Sequence, residues 1–281
     1  MNRAAGRGSD DTISDWSHAG AAYWEAVYDD PGIDGAIYRL RERRVLAALD
    51  GLSLPAQSRL LELGPGAGRV AVELARRGHR VVCVDPAEAM LRNTDARARS
   101  HGVGDRVETV VADAHALPFP DDGFAAVIAV GVLPWLERPA AALADIRRVL
   151  APGASAVLTS DNRARLTFVL DPRTNPLAVD VAKRADALLV RMLGMGSRRR
   201  AETLPRRYGN RSVDRMLADA GLVKRSGTSV GFGPFSLLRH PVLPAGWAVP
   251  AHERLQRLAD AGLPGLRGAG SQYLVVAYRP S

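Results

Sequence analysis

The chain has 281 residues, 47% hydrophobic and 24% charged, enough to bury a sizeable core in one or two domains. A single cysteine excludes an intramolecular disulfide, no apolar leader opens the chain, and the longest apolar stretch, 124–136, is too short for a bilayer, so a soluble cytoplasmic protein is expected. The formal charge of +8 is concentrated: residues 161–215 hold 13 basic and 6 acidic side chains, a net of +7 that suits a phosphate, a carboxylate, an acidic carrier, a membrane surface or a solvated arginine-rich face.

Residues 1–12 are polar and rich in Gly, Arg and Asp, a disordered tail by composition. Residues 13–58 read as an N-terminal helical cap. Its first part carries Trp16, His18, Tyr23, Trp24 and Tyr28, an aromatic cluster that either packs over the mouth of a site or staples a helix to the core. Residues 34–50 follow as a helix, with Ile37, Leu40, Val45, Leu46 and Leu49 on one side and Arg39, Arg41, Arg43 and Arg44 on the other.

The chain is organised around residues 59–69, RLLELGPGAGR, an apolar strand that breaks into Gly64, Gly66 and Gly68 before a helical pattern over 70–78. Glycine allows positive φ and close approach of a ligand to backbone, and the next helix presents free N–H groups. A dinucleotide fingerprint would need its third glycine at position 69, which is Arg69. Glu62, near the strand end, would repel a pyrophosphate and favour a ligand carrying a sulfonium and an ammonium.

A second strand over 80–84 ends in Asp85, about 20 residues past the glycines, where a carboxylate can take both hydroxyls of a ribose. Pro86 leads into a helix over 87–98 that carries Met90. A third strand covers 107–111, ahead of Ala112-Asp113-Ala114. The acids Asp121 and Asp122 form a turn, a fourth strand covers 124–130, and a helix runs to Leu150. Ala151-Pro152-Gly153 is a turn into a fifth strand over 154–159.

The E-x-G-x-G-x-G pattern of Glu62, Gly64, Gly66 and Gly68, followed by Asp85, Asp113 and the Pro152-Gly153 turn, resembles the class I S-adenosylmethionine (SAM)-dependent methyltransferases, over about 100 residues. The resemblance implies an α/β fold: a Rossmann-like, doubly wound, seven-stranded sheet with an antiparallel last strand, here with helical lid inserts. It implies SAM as cofactor, with contacts from Glu62, Gly64, Pro65, Gly66, Gly68, Asp85, Pro86, Met90, Asp113, Ala114 and Val130, Asp113 meeting the adenine amino group. Many small-molecule members carry histidine near Pro134, and its absence removes the most convenient general base. No Asn/Asp-Pro-Pro-aromatic tetrad for amino methylation of bases is present, and Cys83 is misplaced for attack on a pyrimidine. Asp161-Asn162 matches half of a catechol-type metal site, but Gly131 stands where its partner ligand belongs, so no metal is assigned.

The methyltransferase domain is expected over 59–281, with inserts at 164–208 and 233–270. The first insert contains a loop over 171–176, an amphipathic basic helix over 177–193 and the arginine run 198–200, read as a lid. A helix over 212–220 and a strand over 222–232 follow. The second insert, with His240, Trp247 and His252, reads as a substrate cap, and 272–278 is the final strand. The reaction expected is methyl transfer to a hydroxyl or activated carbon of a small-molecule acceptor, of secondary-metabolite type, with His18 and His240 as candidate bases. The alternatives are a SAM-binding cyclase or decarboxylase, and a lipid or quinone methyltransferase at a membrane surface. An NAD oxidoreductase is disfavoured by Glu62 and Arg69. Neither a nucleic-acid partner nor stable membrane insertion is expected.

Overall fold

A computed structural model describes residues 23–171, 175, 206–238 and 240–281. The tail 1–12, Trp16, His18, the basic helix 177–193 and the run 198–200 lie outside the described residues.

The chain alternates strand and helix from α1 (Ile33–Asp50) through β1 (Arg59–Leu63), α2 (Arg69–Arg76), β2 (Arg80–Asp85), α3 (Glu88–Ser100), β3 (Val107–Val111), β4 (Phe124–Ala129), α4 (Pro139–Val149) and β5 (Leu150–Asp161). A short α5 (Leu166–Leu170) lies at the start of the first insert, and α6 (Asn210–Asp219) and β6 (Val223–Val230) follow it. The second insert contains a two-stranded ribbon, β7 (Ser236–Leu237) with β8 (His240–Pro241), then α7 (Ala245–Asp260), before β9 (Gln272–Tyr278).

Seven strands form one sheet in the order β3-β2-β1-β4-β5-β9-β6. β9 is antiparallel to both neighbours, as the sequence predicts, and lies between β5 and β6. While the edge strands β3 and β6 are largely exposed, the five inner strands of the sheet, β2, β1, β4, β5 and β9, are covered on both faces by two apolar clusters. One joins Leu61, Val82, Val127 and Leu158 to α4 and α6; the other joins Leu60, Val81, Ile128 and Val157 to α1, α2 and α3. The chain reverses direction across the sheet between β1 and β4. That reversal opens a crevice beyond the strand C-termini, where Gly64, Asp85 and Gly131 emerge.

Two expectations are corrected. Ala151-Pro152-Gly153 does not form a separate turn but belongs to β5, whose register with β4 jumps from Phe124↔Leu150 to Ala126↔Ser155. The cause is pairing on the other side: the Gly153 N–H donates to the Arg279 carbonyl and the Arg279 N–H to the Ala154 carbonyl, each at 2.9 Å, so the β9 side holds these residues in the strand around a bulge at which Gly153 takes a φ of +78°. On α1, Arg41 does not belong to the exposed face. It is 4% exposed and continues the buried stripe Ile37-Arg41-Val45-Leu49, spaced four apart.

Candidate cofactor and acceptor site

The turn after β1 is held by backbone. The Gly64 N–H donates to the Val84 carbonyl (2.8 Å), prolonging the β1–β2 ladder by one bond, and the Gly68 N–H closes the turn on Pro65 (2.9 Å). Gly64 and Gly68 have φ of +60° and +70°. A Cβ on Gly64 would stand 2.7 Å from a Val132 methyl, and one on Gly68 would stand 2.9 Å from the Thr94 Cα. Both positions therefore require glycine for packing as well as conformation. At Gly66, φ +56°, an added Cβ meets nothing within 4 Å, so that glycine borders open space.

Glu62 is 2% exposed and projects beneath the first turn of α2. Burial pushes its carboxyl up to about 8, against a lowering bond from the Ala71 N–H and a further raising effect from Glu42. Among the described residues its Oε2 has no hydrogen-bond partner. An orphaned buried carboxyl oxygen at this point fits a ligand that brings a positive charge. Asp85, at the tip of β2, accepts the Ala87 N–H at Oδ1 (2.8 Å), and burial raises it to about 6 despite that bond.

Asp113 sits on the rim, its side chain 64% exposed. Its Oδ1 accepts both the His115 backbone N–H (2.9 Å) and the His115 ring Nδ1 (2.5 Å), while His115 Nε2 accepts the Arg138 N–H (3.2 Å). Burial opposes its ionisation, but those bonds outweigh burial and hold the carboxyl below its usual range. Ala114 is buried in the apolar cluster near β4, Met90 is 9% exposed on α3, and Val130 packs on the opposite cluster. Pro65 and Pro86 flank the two turns.

The cap reaches this turn through side chains. Arg69, the first residue of α2, pairs with Glu42 (2.9 Å) and lies over the Tyr28 ring, 4.7 Å from its centroid. Tyr23, Trp24, Tyr28 and Tyr38 stack edge-on or tilted at 5.1–5.8 Å. The buried Arg41 guanidinium covers the Tyr38 ring (4.4 Å), donates to the Tyr28 hydroxyl (3.1 Å) and stands beside Gly131. Sequence reading missed Arg41, although its four-residue spacing from Ile37 and Val45 carried the signal.

On the β5 side, the Gly131 N–H donates to the Thr159 hydroxyl (2.8 Å), fixing the loop after β4. Asn162 spends its amide on backbone, donating to the Gly268 and Gly270 carbonyls (2.8 Å each) and accepting the Ala164 N–H (3.0 Å). The end of the first insert returns alongside: Tyr208 bridges Asn162, and the Arg206 N–H donates to the Pro134 carbonyl (2.7 Å).

His240 is exposed on the ribbon, which packs against α5. His252 is 3% exposed and accepts the Phe232 N–H at Nδ1 (3.0 Å), a structural bond tying the second insert to the segment just before it. Asp121 and Asp122 hold turns by pairing with Arg148 and Arg279. Among the described residues, no helix is long and apolar enough to cross a membrane.

Residues 61–158 match the family model of a methyltransferase domain. The chain is 40% identical over 127 residues to a demethylmenaquinone methyltransferase of Thermus thermophilus, covering 44% of this chain and 54% of that one. It is 42% identical over 96 residues to a malonyl-[acyl-carrier protein] O-methyltransferase of Halorhodospira halophila, covering 34% and 32%. Taken with its other curated relatives, the chain spans about half their length or less. Its fold is similar to that of magnesium protoporphyrin IX methyltransferase from Synechocystis with bound S-adenosylhomocysteine (SAH), at TM-score 0.60 and 16% identity over 96% of this chain and 100% of that one.

Proposed function

We propose that this chain, whose domain is that of the class I SAM-dependent methyltransferases, transfers a methyl group from SAM to a hydroxyl or an activated carbon of a small-molecule acceptor. The observation that carries the reading is the meeting, at the β1/β4 reversal, of a glycine turn bordering open space with two carboxyls, the buried Glu62, with an oxygen unpartnered among the described residues, and the half-buried Asp85.

When bound, SAM supplies a methyl group already activated by its sulfonium. The turn 64–68 offers backbone N–H groups and room for close approach. The Glu62 carboxylate would hold the ammonium, and binding a cation there would draw its pKa down from about 8. Asp85 would take the ribose hydroxyls and Asp113 the adenine edge, with Met90 under the ring. The protein's share of catalysis is then alignment, exclusion of water by the aromatic cap, and removal of a proton where the acceptor is an alcohol. For that last task the histidine candidates are His18 and His240. A phenolate or an activated carbon would need no protein base, and likeness to a demethylmenaquinone methyltransferase supports that arm. A non-methylating role on the same fold is not favoured, because the named curated relatives are methyltransferases. An acceptor of secondary metabolism in the cytoplasm is part of the proposal.

The test uses SAM labelled at the methyl group and a panel of phenols, quinols, alcohols and carboxylic acids. Transfer of label with stoichiometric SAH supports the reading. Saturable SAM binding with an acceptor-dependent reaction that leaves the label on SAM would replace it with the non-methylating one.

A further inference from the structure

Two arginines beyond the C-terminal end of β5 converge on one aromatic ring. The Arg165 guanidinium lies 3.4 Å from the centre of the Phe168 ring and that of Arg207 4.8 Å from the same centre. Arg165 is on the loop that leaves β5, and Arg207 is on the returning end of the first insert, which the Tyr208–Asn162 bridge draws against that loop. Among the described residues neither side chain makes a hydrogen bond or an ion pair, and Arg165 Nε is buried without a partner. The hydroxyls of Thr167 and Tyr208, next to them in the chain, are also buried and unpartnered.

A guanidinium is always charged, and the half-buried Arg165 leaves its Nε without an acceptor among the described residues, which is costly, whereas Arg207 is exposed to solvent. Two such charges against one ring repel each other as well. Burial lowers Arg165 to about 10, Arg207 adds to that lowering, and Asp161, Tyr38 and Asp34 act in the opposite direction from a distance without pairing. A ligand with a planar or tetrahedral oxyanion would accept from both forks. The location suits an acceptor: the Arg206 N–H ties this segment to Pro134, in the loop after β4 that also carries Gly131, at the crevice.

We propose that Arg165 and Arg207, flanking Phe168, bind an anionic group of the methyl acceptor, a carboxylate or a phosphate. The inference rests on the methyltransferase reading, and its test separates the two. SAH-saturated protein is titrated with malonate and, separately, with inorganic phosphate at constant ionic strength, by calorimetry. Wild type, Arg165→Gln, Arg207→Gln and Arg165→Lys are compared.

The expected result is saturable binding of one anion to wild type, weakened at least tenfold by either glutamine variant and partly restored by lysine, with SAH affinity unchanged throughout. Malonate binding marks a carboxylate acceptor and phosphate binding a phosphorylated one. Normal SAH binding with no anion bound, or with equal anion binding in every variant, overturns the proposal and leaves the methyltransferase reading standing. Failure of wild type to bind SAH overturns both.

Discussion

On the β1–β2 side of the crevice the groups proposed to meet the cofactor are main chain and short acids: a glycine turn packed against Val132 and Thr94, with Glu62 and Asp85 near the ends of adjacent parallel strands. On the β5 side the groups proposed to meet the acceptor are long side chains, Arg165 and Arg207, carried by the loop that leaves β5 and the returning end of the first insert. The difference tracks what each side has to recognise. A constant cofactor rewards a rigid backbone cradle built into the sheet. A variable acceptor is met by side chains on connections, which can change without disturbing the core.

The contrast predicts where substitutions act on folding and where on binding. Gly68→Ala adds a Cβ against the Thr94 backbone at a left-handed position, and it should cost about 3 kcal/mol of stability in chemical denaturation. Gly66→Ala meets only open space, so it should cost about 1 kcal/mol of stability while weakening SAH by more. Equal stability losses in the two would remove the argument that Gly66 faces the ligand.

His252→Ala strands the Phe232 N–H just before the second insert and should cost about 2 kcal/mol with SAH affinity unchanged, checked by denaturation and calorimetry. Glu62 gives a pH signature of the cradle. Burial raises its folded pKa from the ordinary 4.5 to about 8, so the stability it contributes is complete below about 4.5 and is lost as pH rises through about 8. Unliganded protein should therefore lose on the order of 2 kcal/mol between pH 6 and 9, and Glu62→Gln should flatten that slope. Asp113 is mostly exposed and already bonded to His115, so Asp113→Ala should weaken SAH only about fivefold, the smallest effect of the series.

The sheet was legible because its code is local: β-branched runs alternating with helical patterns, a glycine turn after the first strand, and an acid at the end of the second. The glycines at 64 and 68 prove to be demanded by their φ and by contact with Val132 and Thr94. The Ala151-Pro152-Gly153 turn was misread because Pro and Gly signal a turn in isolation, whereas the bonds between Gly153 and Arg279 come from a segment about 125 residues later in the chain. Arg41 was misread because charge was allowed to outweigh periodicity. Arg165 and Arg207 could not be paired in advance, since only the Tyr208–Asn162 bridge brings residues on either side of the insert to one ring.

The most direct test of the cofactor cradle is calorimetric titration of the whole chain with SAH and, separately, with NAD, repeated with Asp85→Asn. The account predicts SAH binding in wild type, weakened on the order of 100-fold by Asp85→Asn through loss of charge-assisted bonds to two hydroxyls, and no binding of NAD. Binding of NAD in place of SAH, or SAH binding indifferent to Asp85→Asn, would contradict it.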